Sequence, residues 1–151
     1  MQTVSKSQRW TGRILSGVVA LFLLMDGVVK VVRAAPAVEG SAQLGYPEGT
    51  VLPIGVLVLI GTALYVFRRT SVLGAIYLTG FLGGAVATHV RVDNPLFSHT
   101  LFPVYLAIMM WAGLALRSPR LRAVLFAPEP RSTPVTEEAH QGIPTREAVA
   151  R

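Results

Sequence analysis

The sequence predicts an all-α fold: a polytopic membrane protein built as an antiparallel bundle of four transmembrane helices. Its 151 residues are 52% hydrophobic and only 15% charged, with a mean hydropathy of +0.52, which is too apolar for a typical soluble domain. The apolar residues fall into four blocks, each close to the ~20 residues that a helix needs to cross a ~30 Å hydrocarbon core. These blocks are Ile14–Val32, Val51–Phe67, Val72–Val90 and Leu96–Leu116.

Composition divides the chain into three segments and excludes several function classes. Residues 1–11 are predicted as a cytoplasmic leader, residues 12–126 as the four-helix membrane domain, and residues 127–151 as a disordered cytoplasmic tail. The chain contains no cysteine, so disulfide exchange and thiolate metal ligation are excluded. The net charge of +6 comes largely from arginines at helix ends. Membrane topology explains them, and nucleic acid is therefore not a predicted partner.

The sequence indicates how the first three helices are connected. In the first helix, Asp26 and Lys30 lie four residues apart and share one face. A loop over 34–50 leads to the second helix. The short turn Arg68–Ser71 then makes the second and third helices an antiparallel hairpin.

The fourth helix is predicted to begin at a capping signal. Asn94 is a suitable N-cap, and Pro95 is tolerated in the first turn. A start at Pro103 would leave the helix roughly 21 Å long, too short to cross the membrane. Pro103 is therefore expected inside the helix, where it frees the carbonyl of His99.

The distribution of basic residues predicts the orientation. Cytoplasmic ends of membrane helices carry an excess of lysine and arginine. On one side of the predicted bundle lie Lys6, Arg9, Arg13, Arg68, Arg69, Arg117, Arg120 and Arg122. We therefore expect a multi-pass protein of the inner (cytoplasmic) membrane with both termini in the cytoplasm.

This topology gathers five ionisable residues in the outer half of the bundle. They are Asp26, Lys30, His89, Arg91 and His99. Ionisable groups inside a membrane are costly and usually face protein or water. The cluster is therefore the candidate site, either for a ligand or as a structural ion pair in which Lys30 or Arg91 compensates Asp26.

Two kinds of ligand are compatible with the cluster. A small polar or quinone-like head group could accept hydrogen bonds from His89 and Arg91, with aromatic side chains as walls. The candidate walls are Tyr46, Phe102 and Tyr105. His89 and His99 could also ligate a metal with Asp26. Two histidines that flank a loop lack a closer ligand pair, so no metal site is predicted.

The third helix also carries glycines four residues apart. Gly80 and Gly84 are predicted to allow close helix packing inside the bundle, with dimerisation through the same face as an alternative.

Three stretches resemble the DoxX-like family of small four-helix membrane proteins. They are the run GVVALFLLMDGVVKVV, the loop GYPEG and the run GGAVATHVRVDNPLFSHTLFPVY, and the similarity extends over Gly12–Leu125. The resemblance implies four transmembrane helices in a left-handed bundle. It implies no catalytic residue, because the wider family ranges from a subunit associated with thiosulfate:quinone oxidoreduction to proteins resembling receptor-assembly chaperones.

Two functions are therefore carried forward. The first is a non-enzymatic accessory or assembly subunit of a membrane complex, whose partners are the lipid bilayer and another membrane subunit or a second copy of the chain. The second is a redox-linked subunit or small-molecule carrier that uses the polar cluster, for which a quinone is the candidate cofactor. The residues identify neither a substrate nor a reaction.

Overall fold

A computed structural model describes residues 5–126, which form a bundle of four long helices. The α-helices in chain order are α1 (Lys6–Val31), α2 (Ala35–Gln43), α3 (Val51–Val66), α4 (Ser71–Arg91), α5 (Phe102–Arg117) and α6 (Pro119–Phe126). A 3₁₀ turn, Glu48–Thr50, precedes α3, and a π-helical turn, Leu96–Thr100, precedes α5. Four helical spans are long and apolar enough to cross a membrane: Lys6–Val31, Glu48–Val66, Ser71–Arg91 and Leu96–Arg117. The predicted all-α, four-span fold class is confirmed.

The four long helices are arranged as a ring. Helix α1 packs against α3 and α5, and α4 packs against the same two helices, so α1 and α4 lie diagonally across the bundle. One end of the bundle carries α2 and the π-helical turn; we call it the α2 end. The opposite end carries the α3–α4 turn and is called the hairpin end. The buried core includes Val19, Leu23, Val58, Leu78 and Met110.

Glycine pairs bring neighbouring helices into backbone contact. At the hairpin end, a Cβ added to Gly12 of α1 would lie 2.9 Å from the carbonyl oxygen of Gly113 in α5. Gly74 of α4 plays the same part against the backbone of Tyr65 in α3, whereas Gly61 of α3 packs against the side chains of Tyr77 and Leu78 in α4. At the α2 end, a Cβ on Gly55 of α3 would lie 2.8 Å from the Cβ of Lys30 in α1. Helices within a membrane have no hydrophobic driving force to associate. Small residues promote their packing instead, because they allow the backbones to approach closely.

The glycine pair singled out in the sequence does not take part in this packing. A Cβ added to Gly80, Gly83 or Gly84 would meet no atom within 4 Å, and all three residues are exposed. Close packing at Gly80 and Gly84 is therefore not met by another helix of the described chain. Small residues spaced along a helix predict that the helix packs closely against a neighbour, but they do not identify which of its faces makes the contact.

The Tyr65 hydroxyl is satisfied inside the hairpin end, whereas the buried Nη2 of Arg117 has no hydrogen-bond partner among residues 5–126. The Tyr65 hydroxyl lies 2.9 Å from Ser16 Oγ and 3.1 Å from the carbonyl oxygen of Met110. The Arg117 guanidinium lies over the Tyr65 ring, 5.3 Å from its centroid. These contacts join α1, α3 and α5 inside the bundle, where an unpaired hydroxyl would be costly.

Three boundaries differ from the sequence-based expectation. Residues 34–50 contain the helix α2 rather than a loop alone, with Pro36 in its first turn. Helix α1 begins at Lys6, so part of the predicted leader is helical. The fourth span does begin near Pro95, but as a π-helical turn, and Pro103 lies in the first turn of α5. The predicted tail 127–151 lies outside the described residues.

Substituting Gly74 tests the close packing of the hairpin. A Cβ in Gly74→Ala would overlap the backbone nitrogen of Tyr65, so we expect about 1–3 kcal/mol of destabilisation, as in other overpacked cores. Thermal unfolding in mild detergent measures it. Gly83→Ala is the matched control, because its Cβ enters open space and alanine favours a helix by about 1 kcal/mol. A Gly74→Ala protein as stable as wild type would contradict this contact.

Candidate functional site

Two adjoining cavities occupy the α2 end of the bundle. The first, the deep cavity, has a volume of about 380 Å³ and lies among the long helices. Its apolar wall includes Phe22, Phe81, Leu82, Phe102, Pro103 and Leu106. The second, the vestibule, has a volume of about 500 Å³ and lies beneath α2. Its own lining includes Pro36, Gly40, Gln43, Asn94 and His99.

The residues that line both cavities form what we call the neck. They are Asp26, Lys30, Ser41, Leu44 and His89. The ionisable groups of the bundle interior at this end thus stand between a more polar chamber and an apolar one. This arrangement suits a molecule with a polar head and an apolar body, because each part would meet matching groups.

An ion pair along α1 forms one side of the neck. The Lys30 ammonium donates to the Asp26 carboxylate one helical turn away, and the Lys30 and Asp26 side chains are 20% and 29% exposed. Among residues 5–126, Lys30 is the one hydrogen-bond partner of the Asp26 carboxylate. The remaining lone pairs of the carboxylate and N–H groups of the ammonium are available to a ligand or to water.

The end of α4 fixes the position of His89. Asp93 adopts a left-handed conformation with φ 53°, and the chain closes the helix with the Asn94 N–H donating to the His89 carbonyl at 3.0 Å. This is the hydrogen-bond pattern of a Schellman motif. The same turn brings the Asn94 Nδ2 within 2.9 Å of His89 Nδ1. The amide N–H₂ donates to Nδ1, so the ring hydrogen of a neutral His89 is carried on Nε2.

His99 lies across the vestibule from His89. The two ring centroids are 6.0 Å apart in an edge-to-face arrangement, and the Nδ1 of His99 lies 2.8 Å from the Ser98 hydroxyl. Among residues 5–126, no group of three or more His, Cys, Asp or Glu side chains is placed to hold a metal.

The loop after α2 is tied to α4 by two side chains. Arg91 Nη2 donates to the carbonyl oxygen of Leu44 at 2.6 Å. The Tyr46 hydroxyl lies 2.7 Å from Thr88 Oγ1, which itself donates to the Gly84 carbonyl. Tyr46 is therefore the donor to Thr88, since the Thr88 hydrogen is already used. These bonds hold α2 over the vestibule.

Comparison with known families agrees with the fold and the matched motifs. The model of the DoxX-like family matches residues 14–113, about two thirds of the chain. The chain belongs to the DoxX-like family. No curated protein and no solved structure matches it.

The predicted site residues of this DoxX-like protein do not all lie together. Asp26, Lys30 and His89 line both cavities, and His99 lines the vestibule. Arg91 is exposed and lines neither cavity; its guanidinium is engaged by the loop carbonyl instead. Of the predicted aromatic walls, Tyr46 and Phe102 line the deep cavity, whereas Tyr105 does not.

The sequence-based reading missed the contribution of α2 to the neck. Ser41 and Leu44 reach the neck because 35–43 is helical. A signal was available: Pro36 suits a first helical turn, and Gly45, which has φ 78°, suits the left-handed residue that ends a helix. Reading these two residues as helix boundaries would have placed α2 correctly.

The ion pair can be tested by removing its charges in turn. Asp26→Asn is expected to destabilise the DoxX-like protein by roughly 1–3 kcal/mol, because Lys30 loses its partner. This is below the ~3–5 kcal/mol of a fully buried pair because both side chains retain some exposure. Adding Lys30→Met should restore part of the stability. Thermal unfolding in detergent measures both changes.

Arg91→Met provides the contrast for this pair. Because Arg91 binds the Leu44 carbonyl rather than Asp26, combining Arg91→Met with Asp26→Asn should not restore stability. Rescue by Arg91→Met instead of Lys30→Met would show that Asp26 depends on a different partner.

Proposed function

We propose that this DoxX-like protein is a non-enzymatic membrane module that binds a small molecule with a polar head and an apolar body. The observation that carries the proposal is the neck, where Asp26, Lys30 and His89 line the polar end of a mostly apolar cavity. The molecule would be held in the deep cavity with its head at the neck.

The chemistry of the lining supports this class of ligand. Lys30 and the Nε2 of His89 can donate hydrogen bonds, and Asp26 can accept them. Three phenylalanines line the rest of the cavity: Phe22, Phe81 and Phe102. A mostly apolar pocket of about 380 Å³ with a few convergent polar groups is typical of small-molecule sites, which span ~300–1,000 Å³.

Filling the deep cavity tests binding. Ala85 lines this cavity, so Ala85→Phe should displace the bound molecule. Ala87→Phe is the matched control, because Ala87 is exposed on the same helix and does not line the cavity. Native mass spectrometry from mild detergent measures the co-purified molecule. We expect at least about tenfold less of it in Ala85→Phe, equivalent to ~1.4 kcal/mol or more of lost binding.

Thermal unfolding must first show that both phenylalanine variants are folded. Equal occupancy in the two folded variants, or no small molecule in the wild-type protein, would contradict the proposal. A co-purified protein subunit without a small molecule would support the accessory or assembly role instead. A co-purified quinone would support the redox-linked role. Both roles remain predictions.

We also propose that the protein resides in the inner (cytoplasmic) membrane with both termini in the cytoplasm. The basic residues at the hairpin end support this orientation through the positive-inside rule. In this orientation the vestibule faces the outside of the cell.

Single cysteines test the orientation cleanly, because the chain has none of its own. Glu39 in α2 and Ser7 in α1 are both exposed. Glu39→Cys should react with an impermeant maleimide on intact spheroplasts, and Ser7→Cys only after the membrane is opened. The reverse pattern, or reaction of both from outside, would overturn the proposed topology.

A further inference from the structure

The deep cavity is also open at the side of the bundle. Gly80 and Gly84 of α4 line this cavity, and both residues are exposed. A Cβ added at either position would meet no atom within 4 Å. The wall of the cavity is therefore incomplete at these two residues, which we call the side opening.

The side opening lies in the middle of the membrane. Gly80 is the tenth and Gly84 the fourteenth residue of α4, a 21-residue span. At ~1.5 Å per residue, they lie roughly 14–20 Å from the start of the helix, well within the ~30 Å hydrocarbon core. The molecules that face the side opening are therefore lipid chains rather than head groups or water.

The packing of the bundle explains why the side opening exists. Gly61 and Gly74 bring α3 and α4 into close contact near the hairpin end. Farther along α4, Gly80 and Gly84 provide no side chain to fill the space beside the helix. The bundle is thus closed between the side opening and the hairpin end, and it is hollow next to Gly80 and Gly84.

The side opening and the neck are close enough to hold one molecule. Gly84 precedes His89 by five residues, roughly 7.5 Å along the helix axis. The Gly84 carbonyl accepts a hydrogen bond from the Thr88 hydroxyl, and Thr88 also lines the deep cavity. A hydrocarbon chain that enters at the side opening therefore has its polar end within reach of the neck.

The charge of the neck limits the head group. Asp26 and Lys30 neutralise each other, and no further Asp, Glu, Lys or Arg lines the deep cavity within residues 5–126. A ligand with a net charge would have to be desolvated without a compensating charge, which is unfavourable. A head group that forms hydrogen bonds but carries no charge fits the neck better.

We propose that one hydrocarbon chain of an uncharged membrane lipid enters the deep cavity through the side opening, with the hydroxyl or carbonyl head of the lipid at the neck. The inference rests on the proposed function and adds the class of ligand and its route of entry. The lipid reaches the site from within the bilayer, without passing through the vestibule.

A photoactivatable lipid tests the route. The probe is a diacylglycerol with a diazirine in one acyl chain, at low mole fraction in phosphatidylcholine vesicles that contain the full-length protein. Leu106 lines the deep cavity and is 7% exposed, whereas Ile108 on the same helix is 61% exposed to the outside. The ratio of labelling at Leu106 to labelling at Ile108 therefore separates entry into the cavity from contact with the outer surface.

Two leucine variants of α4 distinguish the side opening from a general effect on the helix. Gly84→Leu fills the side opening, and we expect it to lower the labelling ratio roughly tenfold. Gly83→Leu is the matched control, because Gly83 is exposed and has open space but does not line the cavity. It should leave the ratio within about twofold of wild type. A Cβ at either glycine meets no atom within 4 Å, so we expect both variants to fold, and thermal unfolding checks this.

Each result either supports or overturns the inference. Absence of Leu106 labelling in wild type, or the same ratio in Gly84→Leu and Gly83→Leu, overturns entry at the side opening. Equal Leu106 labelling by the same chain on phosphatidic acid overturns the uncharged class of lipid. If Gly84→Leu leaves the ratio unchanged while Ala85→Phe still removes a bound molecule, the route fails and the proposed binding function stands.

Discussion

Close contact between helix backbones at glycines determines where this bundle is tight and where it is hollow. Gly12 and Gly113 join α1 to α5, and Gly74 joins α4 to the backbone of α3, all toward the hairpin end. In a membrane, lipid chains are as apolar as the side chains that they would replace, so such contacts supply much of the packing energy that holds helices together. At the α2 end, the comparable contact among residues 5–126 joins α1 to α3, where a Cβ on Gly55 would lie 3.0 Å from the carbonyl oxygen of Gly27. The glycines of α4 beside the deep cavity, Gly80 and Gly84, make no comparable contact.

The two ends of the bundle also treat their polar groups differently. At the hairpin end, the Tyr65 hydroxyl is bonded inside the bundle to Ser16 and to the Met110 carbonyl. The Nη2 of Arg117 is buried there without a hydrogen-bond partner among residues 5–126, but none of these four residues lines the deep cavity or the vestibule. At the α2 end, the Asp26 carboxylate and the Lys30 ammonium face a cavity with part of their bonding capacity unused. Since unpaired polar groups in a membrane interior are costly, unused bonding capacity beside a cavity is the physical reason for proposing a binding site at the α2 end.

The sequence predicted the spans and the local pairing well because both depend on short-range patterns. Four apolar blocks of sufficient length identify four spans whatever their packing, and residues four apart in a helix, such as Asp26 and Lys30, must share a face. Arg91 and Gly80 show the limit of this reasoning. Arg91 could equally face Asp26 or a loop carbonyl, and Gly80 could face a helix or a gap. Only the arrangement of neighbouring helices decides between these possibilities.

Three helix ends show how local backbone geometry builds the site. Helices α1, α2 and α4 each end with the two backbone hydrogen bonds of a Schellman motif. The residue at positive φ donates its N–H to the carbonyl of the second-last helical residue, and the next residue donates to the carbonyl of the third-last. After α2 the residue at positive φ is Gly45, which adopts the conformation without strain. After α1 and α4 it is Arg33 and Asp93, with φ 51° and 53°.

A residue other than glycine at positive φ costs of order 1–2 kcal/mol, less for aspartate, whose short polar side chain tolerates the conformation. The turns at Arg33 and Asp93 each position a part of the candidate site. The turn at Arg33 leads directly into α2, which covers the vestibule. The turn after Asp93 brings Asn94 back onto His89 through both a backbone and a side-chain bond. Sharp turns at helix ends thus position both α2 over the vestibule and the imidazole of His89 at the neck.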